Sequence, residues 1–236
     1  YTSIENIHKV IDPLFLDALR EELQEIQEIA VDRTRTARLK AFQEKLAGLT
    51  FLDPACGSGN FLTETYLSLR RLENKVLTLL VESAGKQVTG QIMLGGEGDM
   101  NPIQVSISQF YGIEINDFAV TVARTALWIA ESQMMKETED VVHMPLDFLP
   151  LRSYANITEG NALRLDWESV VPKRELDYIM GNPPFVGARL MDSAQKEDVN
   201  LIFDGWKNAG NLDYVCCWYK KAADMMNGTT IRSALG

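Results

Sequence analysis

The run Asp53-Pro54-Ala55-Cys56-Gly57-Ser58-Gly59-Asn60 constrains the fold more than any other stretch of these 236 residues. Glycines one residue apart let the backbone turn sharply and let a ligand approach where side chains would block it. An apolar stretch, Leu49-Thr50-Phe51-Leu52, leads into the run. From about Gly59 to Val81 the apolar residues Phe61, Tyr66, Leu69, Leu72, Val76 and Leu79 recur at helical spacing. Strand, glycine turn and helix in that order open a doubly wound sheet.

The rest of the chain fits that frame. Residues 12–47 read as helical, with Leu16, Leu19, Leu23, Ile26 and Ala30 on one face, Pro13 in a first turn and Gly48 as a stop. Residues 84–108 hold glycines and Asn101-Pro102 but no sustained period, and are expected to form an insertion, with room for a short hairpin. Further strands are expected at Phe110–Ile115, Asn156–Asn161 and Leu176–Met180, with helices at Asp117 to about Lys136, 192–208 and 212–226. Four strands are few for such a sheet. The expectation is therefore an α/β chain, residues 1–48 an N-terminal helical segment and 49–236 a partial catalytic domain, about three strands short on its C-terminal side. The resulting sheet edge would be exposed and prone to pairing.

The charge pattern at the glycine turn selects among cofactors. Dinucleotide enzymes place pyrophosphate at the following helix start, with a third glycine three residues on. This chain has Leu62 there and a carboxylate, Asp53, at the strand end. A carboxylate opposes pyrophosphate but suits a zwitterionic or cationic ligand, such as the methionyl part of S-adenosylmethionine. Glu114, closing the second strand, can accept both hydroxyls of a ribose, although it follows the turn at far more than the usual ~20 residues. The insertion accounts for the excess.

Asn182-Pro183-Pro184-Phe185 follows the last of these strands. Two prolines fix the backbone and remove two donors, so nearby carbonyls stay free to accept. The Asn182 side-chain oxygen adds an acceptor, and Phe185 offers a flat face for stacking a planar ring. Two acceptors aimed at one exocyclic amino group would turn its lone pair toward a methyl donor. A base inside a duplex cannot reach such a turn, so flipping is implied.

At these residues the chain resembles the gamma-class N6-adenine DNA methyltransferases, over nearly its whole length and in the family's motif order. The resemblance implies a Rossmann-like S-adenosylmethionine-dependent methyltransferase fold and methyl transfer to adenine N6 in DNA, within a restriction–modification system. Tyr1-Thr2-Ser3 is similar to the upstream segment that contacts the cofactor's methionine. Asp53, Ala55, Cys56, Gly57, Gly59, Asn60 and Phe61 match the glycine loop, and Glu114 with Ile115 the ribose acid and its apolar flank. Asn161 and Ala162 match the segment that meets the cofactor adenine, and Asn182, Pro183, Pro184 and Phe185 the catalytic turn. The phrases from Ser106 to Glu114 and Asn211-Leu212-Asp213-Tyr214-Val215 are similar to MmeI-like fused restriction–methylation proteins. Such proteins carry a nuclease region before this domain and a target-recognition domain after it. Neither is expected here, so a fragment inactive in isolation stays open, as do RNA or a protein glutamine as substrates.

Composition sets the outer limits. A net charge of −10 argues against strong binding of DNA by this chain alone, since phosphate contacts come largely from Lys and Arg. Double-stranded DNA is expected as a partner through a region absent from this sequence. Cys56, Cys216 and Cys217, with His8 and His143, form no metal or thiol-nucleophile pattern and read as buried thiols of a reducing, cytoplasmic compartment. No apolar run reaches the ~20 residues of a membrane span. The start lacks an initiator Met and a signal-peptide layout, the expectation being an excised piece. Trp128, Trp206 and Trp218 are expected in the core, and Lys173-Arg174 and Lys220-Lys221 on the solvated surface.

Overall fold

The computed structural model describes residues 2–85, 102–143, 146 and 155–236. In chain order the regular elements are α1 (Ile4–Ile11), a π-helical turn (Asp12–Leu16), α2 (Asp17–Gln27), α3 (Asp32–Gly48), β1 (Phe51–Asp53) and α4 (Asn60–Gly85). There follow β2 (Phe110–Glu114), α5 (Asp117–Val142), β3 (Asn156–Glu159), β4 (Tyr178–Gly181), α6 (Ser193–Ile202), α7 (Cys216–Met226) and β5 (Arg232–Leu235). The five strands form one parallel sheet in the order β3-β2-β1-β4-β5. The chain is thus α/β with an N-terminal helical segment. Strand order reverses at the β1–β4 neighbours, where open parallel sheets gather ligands at their carboxyl ends.

Side chains alternate across the sheet, as the two-residue strand period requires. On one face Phe51, Phe110 and Met180 meet Ile11, Phe15, Leu39, Tyr66 and Leu127 from α1, the π turn, α3, α4 and α5. Phe110, Phe51 and Tyr178 stack across three adjacent strands, centroids 5.2 and 5.4 Å apart, and Phe15 caps the row. On the other face Leu52, Ile113 and Ile179 meet Trp167, Val199, Tyr214 and Trp218.

Several elements depart from expectation. The first helix begins at Ile4, capped by Ser3, whose hydroxyl accepts the Asn6 amide at 3.3 Å. Pro13 lies inside the π turn, whose wider backbone tolerates the missing amide, instead of opening a helix. Leu16, Leu19, Leu23 and Ile26 are buried as the spacing requires, but Ala30 is exposed because α2 has ended at Gln27. Helices α4 and α5 run further than their apolar periods suggested, to Gly85 and Val142. The stretches expected as 192–208 and 212–226 shrink to α6 and α7, separated by a short 3₁₀ turn, Ala209–Asn211. A fifth strand, β5, was not anticipated. The hairpin expected near 84–108 falls largely outside the described residues, and its described end, after residue 102, is a 3₁₀ turn at Ile107–Gln109.

Two of the three expected core tryptophans are not buried. Trp218 is, but Trp128 is 38% exposed beside the edge strand β3, and Trp206 is 59% exposed on a loop, edge-on to Phe203. Lys221 is half-buried, its ammonium 5.5 Å from the Trp167 ring centre and donating to the Leu165 carbonyl, so that pair is not simply solvated. Among the described residues no helix is long and apolar enough to cross a membrane.

Candidate functional site

Four loops leave the carboxyl ends of β1, β2, β3 and β4, and every described residue expected at the site lies on them, on the strand ends and helix start that bound them, or on the chain start. Tyr1 lies outside the described residues.

The glycine loop after β1 is shaped by its two glycines. Gly57 has φ +53° and Gly59 φ +81°, both left-handed. A side chain at Gly57 would project into open space, the cradle a ligand needs. A side chain at Gly59 would instead meet Ala123 at 3.0 Å, so this glycine permits α5 to come close. The loop is tied to β2, with the Cys56 amide donating to the Ile113 carbonyl at 3.1 Å and the Gly57 amide to Glu114 Oε2 at 2.9 Å. Glu114 Oε1 accepts the Asn116 amide, also at 2.9 Å. Ile115 is 67% exposed and Phe61 is buried. Asn60 opens α4, half-buried.

Asp53 ends β1 with only 1% of its surface exposed, its Oδ1 accepting the Ala55 amide at 3.0 Å. Burial pushes its carboxyl up to about 7, and the nearby Glu114 charge adds to the rise against the lowering by the Ala55 amide. Burial also raises the Cys56 thiol far above its usual range, with Asp53 and Glu114 adding to it, which removes it as a nucleophile at neutral pH. All three cysteines are free, and the described residues hold no cluster of potential metal ligands.

The segment after β3 is held from two sides. The Gly160 amide donates to the Glu114 carbonyl at 2.8 Å. Asn161 donates through Nδ2 to Asp198 at 3.0 Å and accepts the Leu163 amide on Oδ1 at 2.9 Å. Ala162 is buried and its carbonyl accepts Trp167 Nε1 at 2.9 Å. Both ends of the Asn161 amide are engaged within the protein, with one N–H and one oxygen lone pair to spare.

The turn after β4 meets the glycine loop directly. A Cβ at Gly181 would lie 2.4 Å from Asp53 Oδ1, so only glycine lets the two strand ends abut. Asn182 follows, exposed, and its Nδ2 donates to Thr2 Oγ1 at 3.1 Å across 180 residues of sequence. Pro183 is buried, Pro184 exposed, and Phe185 stands 65% exposed. Sequence reasoning gave no role at the site to three residues that brace these loops: Trp218, read only as core, donating to the Pro54 carbonyl at 3.1 Å, Tyr214, whose amide donates to the Val186 carbonyl at 2.9 Å, and Asp198. A charged residue on an amphipathic helix gives no signal of burial.

Known proteins match this arrangement. A family model described as the MmeI DNA-methyltransferase domain matches residues 27–235. The chain is 38% identical over 237 residues to DNA methyltransferase A of Bacillus subtilis (strain 168), spanning 99% of this chain and 25% of that protein. It is 30% identical over 122 residues to a putative type II restriction enzyme and methyltransferase of Methanocaldococcus jannaschii, spanning 51% of this chain and 9% of that protein. The solved structure of the type IIL restriction–modification enzyme MmeI in complex with DNA superposes with TM-score 0.87 at 41% identity, covering 100% of this chain and 30% of that one. The chain corresponds to a minor part of each of these larger proteins.

Proposed function

The chain belongs to the MmeI DNA-methyltransferase domain family, and from that premise we propose that it transfers the methyl group of S-adenosylmethionine to the N6 amino group of adenine in DNA. The observation that carries the proposal is the abutment of two strand ends. Gly181, which opens the Asn182–Phe185 turn, lies against Asp53, which opens the glycine loop. A methyl donor seated in one loop and an amino group seated in the other would face each other.

The cofactor supplies an electrophilic sulfonium methyl when bound. The residues present fit it: the open cradle at Gly57, the Glu114 carboxylate for ribose hydroxyls and the exposed Ile115 for the adenine ring. Asn161 and Ala162 would border that ring, and Asp53 with Thr2 the cationic methionyl end, where the family resemblance also puts Tyr1. Asn60 and Phe61 would complete the cradle through the start of α4.

The chain's own residues then act on the substrate. Asn182 and the Pro183 carbonyl accept the two N6–H bonds, and Phe185 stacks the flipped base. Engagement of Asn182 Nδ2 by Thr2 supports a role for its Oδ1 as the acceptor offered to the substrate. Acceptance at both oxygens orients the nitrogen lone pair in line with the methyl. On transfer the new N–C bond would form as the C–S bond broke, and the surplus N6 proton would leave to water. No covalent enzyme intermediate is needed, and orientation with fixed dipoles supplies the catalysis.

The acidic charge of the chain supports a division of labour in which other regions of the whole protein, a target-recognition domain above all, hold the duplex. A nuclease region in the same protein completes the restriction–modification proposal. The test is mass spectrometry of nucleosides after incubating the intact protein with DNA, RNA and protein substrates. N6-methyladenine in DNA, cut roughly 10²–10³-fold in rate by Asn182→Ala, is the expected result. Near-normal methylation by that variant, or methyl found only on RNA or glutamine, overturns the proposal.

A further inference from the structure

Asp198 lies on α6, outside every motif assigned above, and is buried. Three donors from two segments, the turn after β3 and the stretch leading into α7, converge on it. Oδ2 accepts Asn161 Nδ2 at 3.0 Å and the Tyr214 hydroxyl at 2.8 Å, and Oδ1 accepts Arg164 Nε at 2.7 Å. Arg164 also lies 3.5 Å from Glu197. Only an ionised carboxylate, an acceptor at both oxygens, can meet three donors at once. An amide would turn its NH₂ against one of them.

The contacts continue outward from this point. Tyr214 donates its amide to the Val186 carbonyl, one residue past Phe185. The adjoining Asp213 accepts the Ala188 amide at 3.1 Å. The Tyr214 ring stands edge-on to Trp218, centroids 5.1 Å apart, and Trp218 donates to the Pro54 carbonyl in the glycine loop. One buried carboxylate therefore stands at the junction of the loop after β3, the turn after β4 and, through Trp218, the loop after β1. Asp213 and Tyr214, from the phrase Asn211-Leu212-Asp213-Tyr214-Val215, belong to this brace.

We propose that Asp198 is a positioning residue that holds the cofactor-adenine loop and the catalytic turn at one fixed spacing, with Tyr214 as the strut between them. The proposal rests on the function proposed above, since the spacing matters only where a donor and an acceptor must meet in line. Asn161 in this arrangement orients its loop through Asp198 and the Leu163 amide. Burial alone would raise the Asp198 carboxyl, but the bonds from Asn161, Arg164 and Tyr214 outweigh it and hold it below the usual range, consistent with a permanently ionised anchor.

The test uses the intact protein with Asp198→Asn, Tyr214→Phe and the double variant. Cofactor dissociation constant, kcat for methyl transfer and hydrogen exchange at the Leu163 and Tyr214 amides are measured. Tyr214→Phe keeps the ring on Trp218 and loses only the hydroxyl; kcat is expected to fall about tenfold with cofactor affinity little changed. Asp198→Asn is expected to lower kcat and weaken cofactor binding together, and to speed exchange at both amides. The double variant should be no worse than Asp198→Asn alone, because the two act through one group. Losses that simply multiply, or a lowered melting temperature with kcat and affinity intact, overturn the proposal. If the unmodified protein neither binds S-adenosylmethionine nor methylates adenine, the functional proposal has failed instead. Exchange at the two amides, which needs no activity, then still decides whether Asp198 couples the loops.

Discussion

The two faces of the sheet each bury a charged side chain, and they use it differently. On the face covered by α1, α3, α4 and α5, Arg70 and Glu73 pair almost fully out of water. Glu73 also accepts Gln43 at 2.8 Å and the Gln104 and Val105 amides at 2.7 and 3.2 Å, while Arg70 donates to Thr138 at 2.8 Å. These bonds join helices to one another and to the chain leading into β2, and none reaches the four loops. On the face covered by α6 and α7, the Asp198 cluster joins loops to loops. The same chemistry, a buried carboxylate gathering donors, serves cohesion on one side and register of the site on the other.

The largest effect should come from breaking the cohesive side. Glu73→Leu leaves the Arg70 guanidinium buried without its counter-charge and orphans two backbone amides. Loss of one member of a buried pair costs about 3–5 kcal/mol, so thermal unfolding of the intact protein should drop sharply. While still folded, the variant should bind S-adenosylmethionine with near-normal affinity. A variant of normal stability, or one that stays folded but loses cofactor binding selectively, removes the distinction between the faces.

A smaller effect is expected where the two strand ends abut. Gly181→Ala puts a methyl 2.4 Å from Asp53 Oδ1, and the carboxylate must move or the strands must part. Overpacking of this kind costs roughly 1–3 kcal/mol. Unlike Glu73→Leu, it should depress cofactor affinity and kcat out of proportion to the melting temperature. Calorimetry of cofactor binding alongside thermal unfolding measures both.

This contrast between faces also explains what was legible in the sequence. The glycine loop, Glu114 and the Asn182–Phe185 turn announce themselves because glycine, proline and strand-end acids carry local conformational meaning. The apolar period of residues 16–26 announced a buried helix for the same reason. β5 did not, since Arg232-Ser233-Ala234-Leu235 alternates weakly and becomes a strand by pairing with β4. Asp198 reads as a solvated acid among Lys196, Glu197 and Asn200 until the fold brings Asn161 and Tyr214 to it. Trp206 reads as core by residue type, but a left-handed Gly205 turns the chain and leaves it on the surface. Long-range partners, on either face, leave no local trace.

The Asp53 carboxyl offers a pH test of the functional side. Its raised value, about 7, means the folded protein holds this proton more tightly than the unfolded chain. Its contribution to stability is present below the ordinary carboxyl value and is lost as pH climbs to about 7. Binding of a cationic ligand beside it runs the other way, favouring the ionised form. S-adenosylmethionine affinity should therefore rise about tenfold between pH 6 and pH 8, equal to roughly one pKa unit of differential interaction. Asp53→Asn should flatten that profile and weaken binding throughout; an unchanged slope in the variant assigns the dependence to another group.

The smallest effect lies where the faces could communicate. His8 on α1 bridges Asp12 at 2.8 Å and Glu64 on α4 at 3.0 Å. Burial would lower its pKa, but these two carboxylates outweigh burial and raise it above 6.5. The stabilisation is then fully present below pH 6.5 and fades as pH rises through the folded-state value. With His8 and Asp12 partly open to water, it is worth no more than about 1 kcal/mol. Thermal midpoints of the unmodified protein and His8→Gln should thus converge between pH 6 and pH 9. The same helix starts two residues past Thr2, the hydrogen-bond partner of Asn182. If the cohesive face is only cohesive, kcat of His8→Gln matches that of the unmodified protein at every pH in this range. A kcat that follows the His8 titration instead means that docking of α1 sets the Thr2–Asn182 contact, and the two faces act as one.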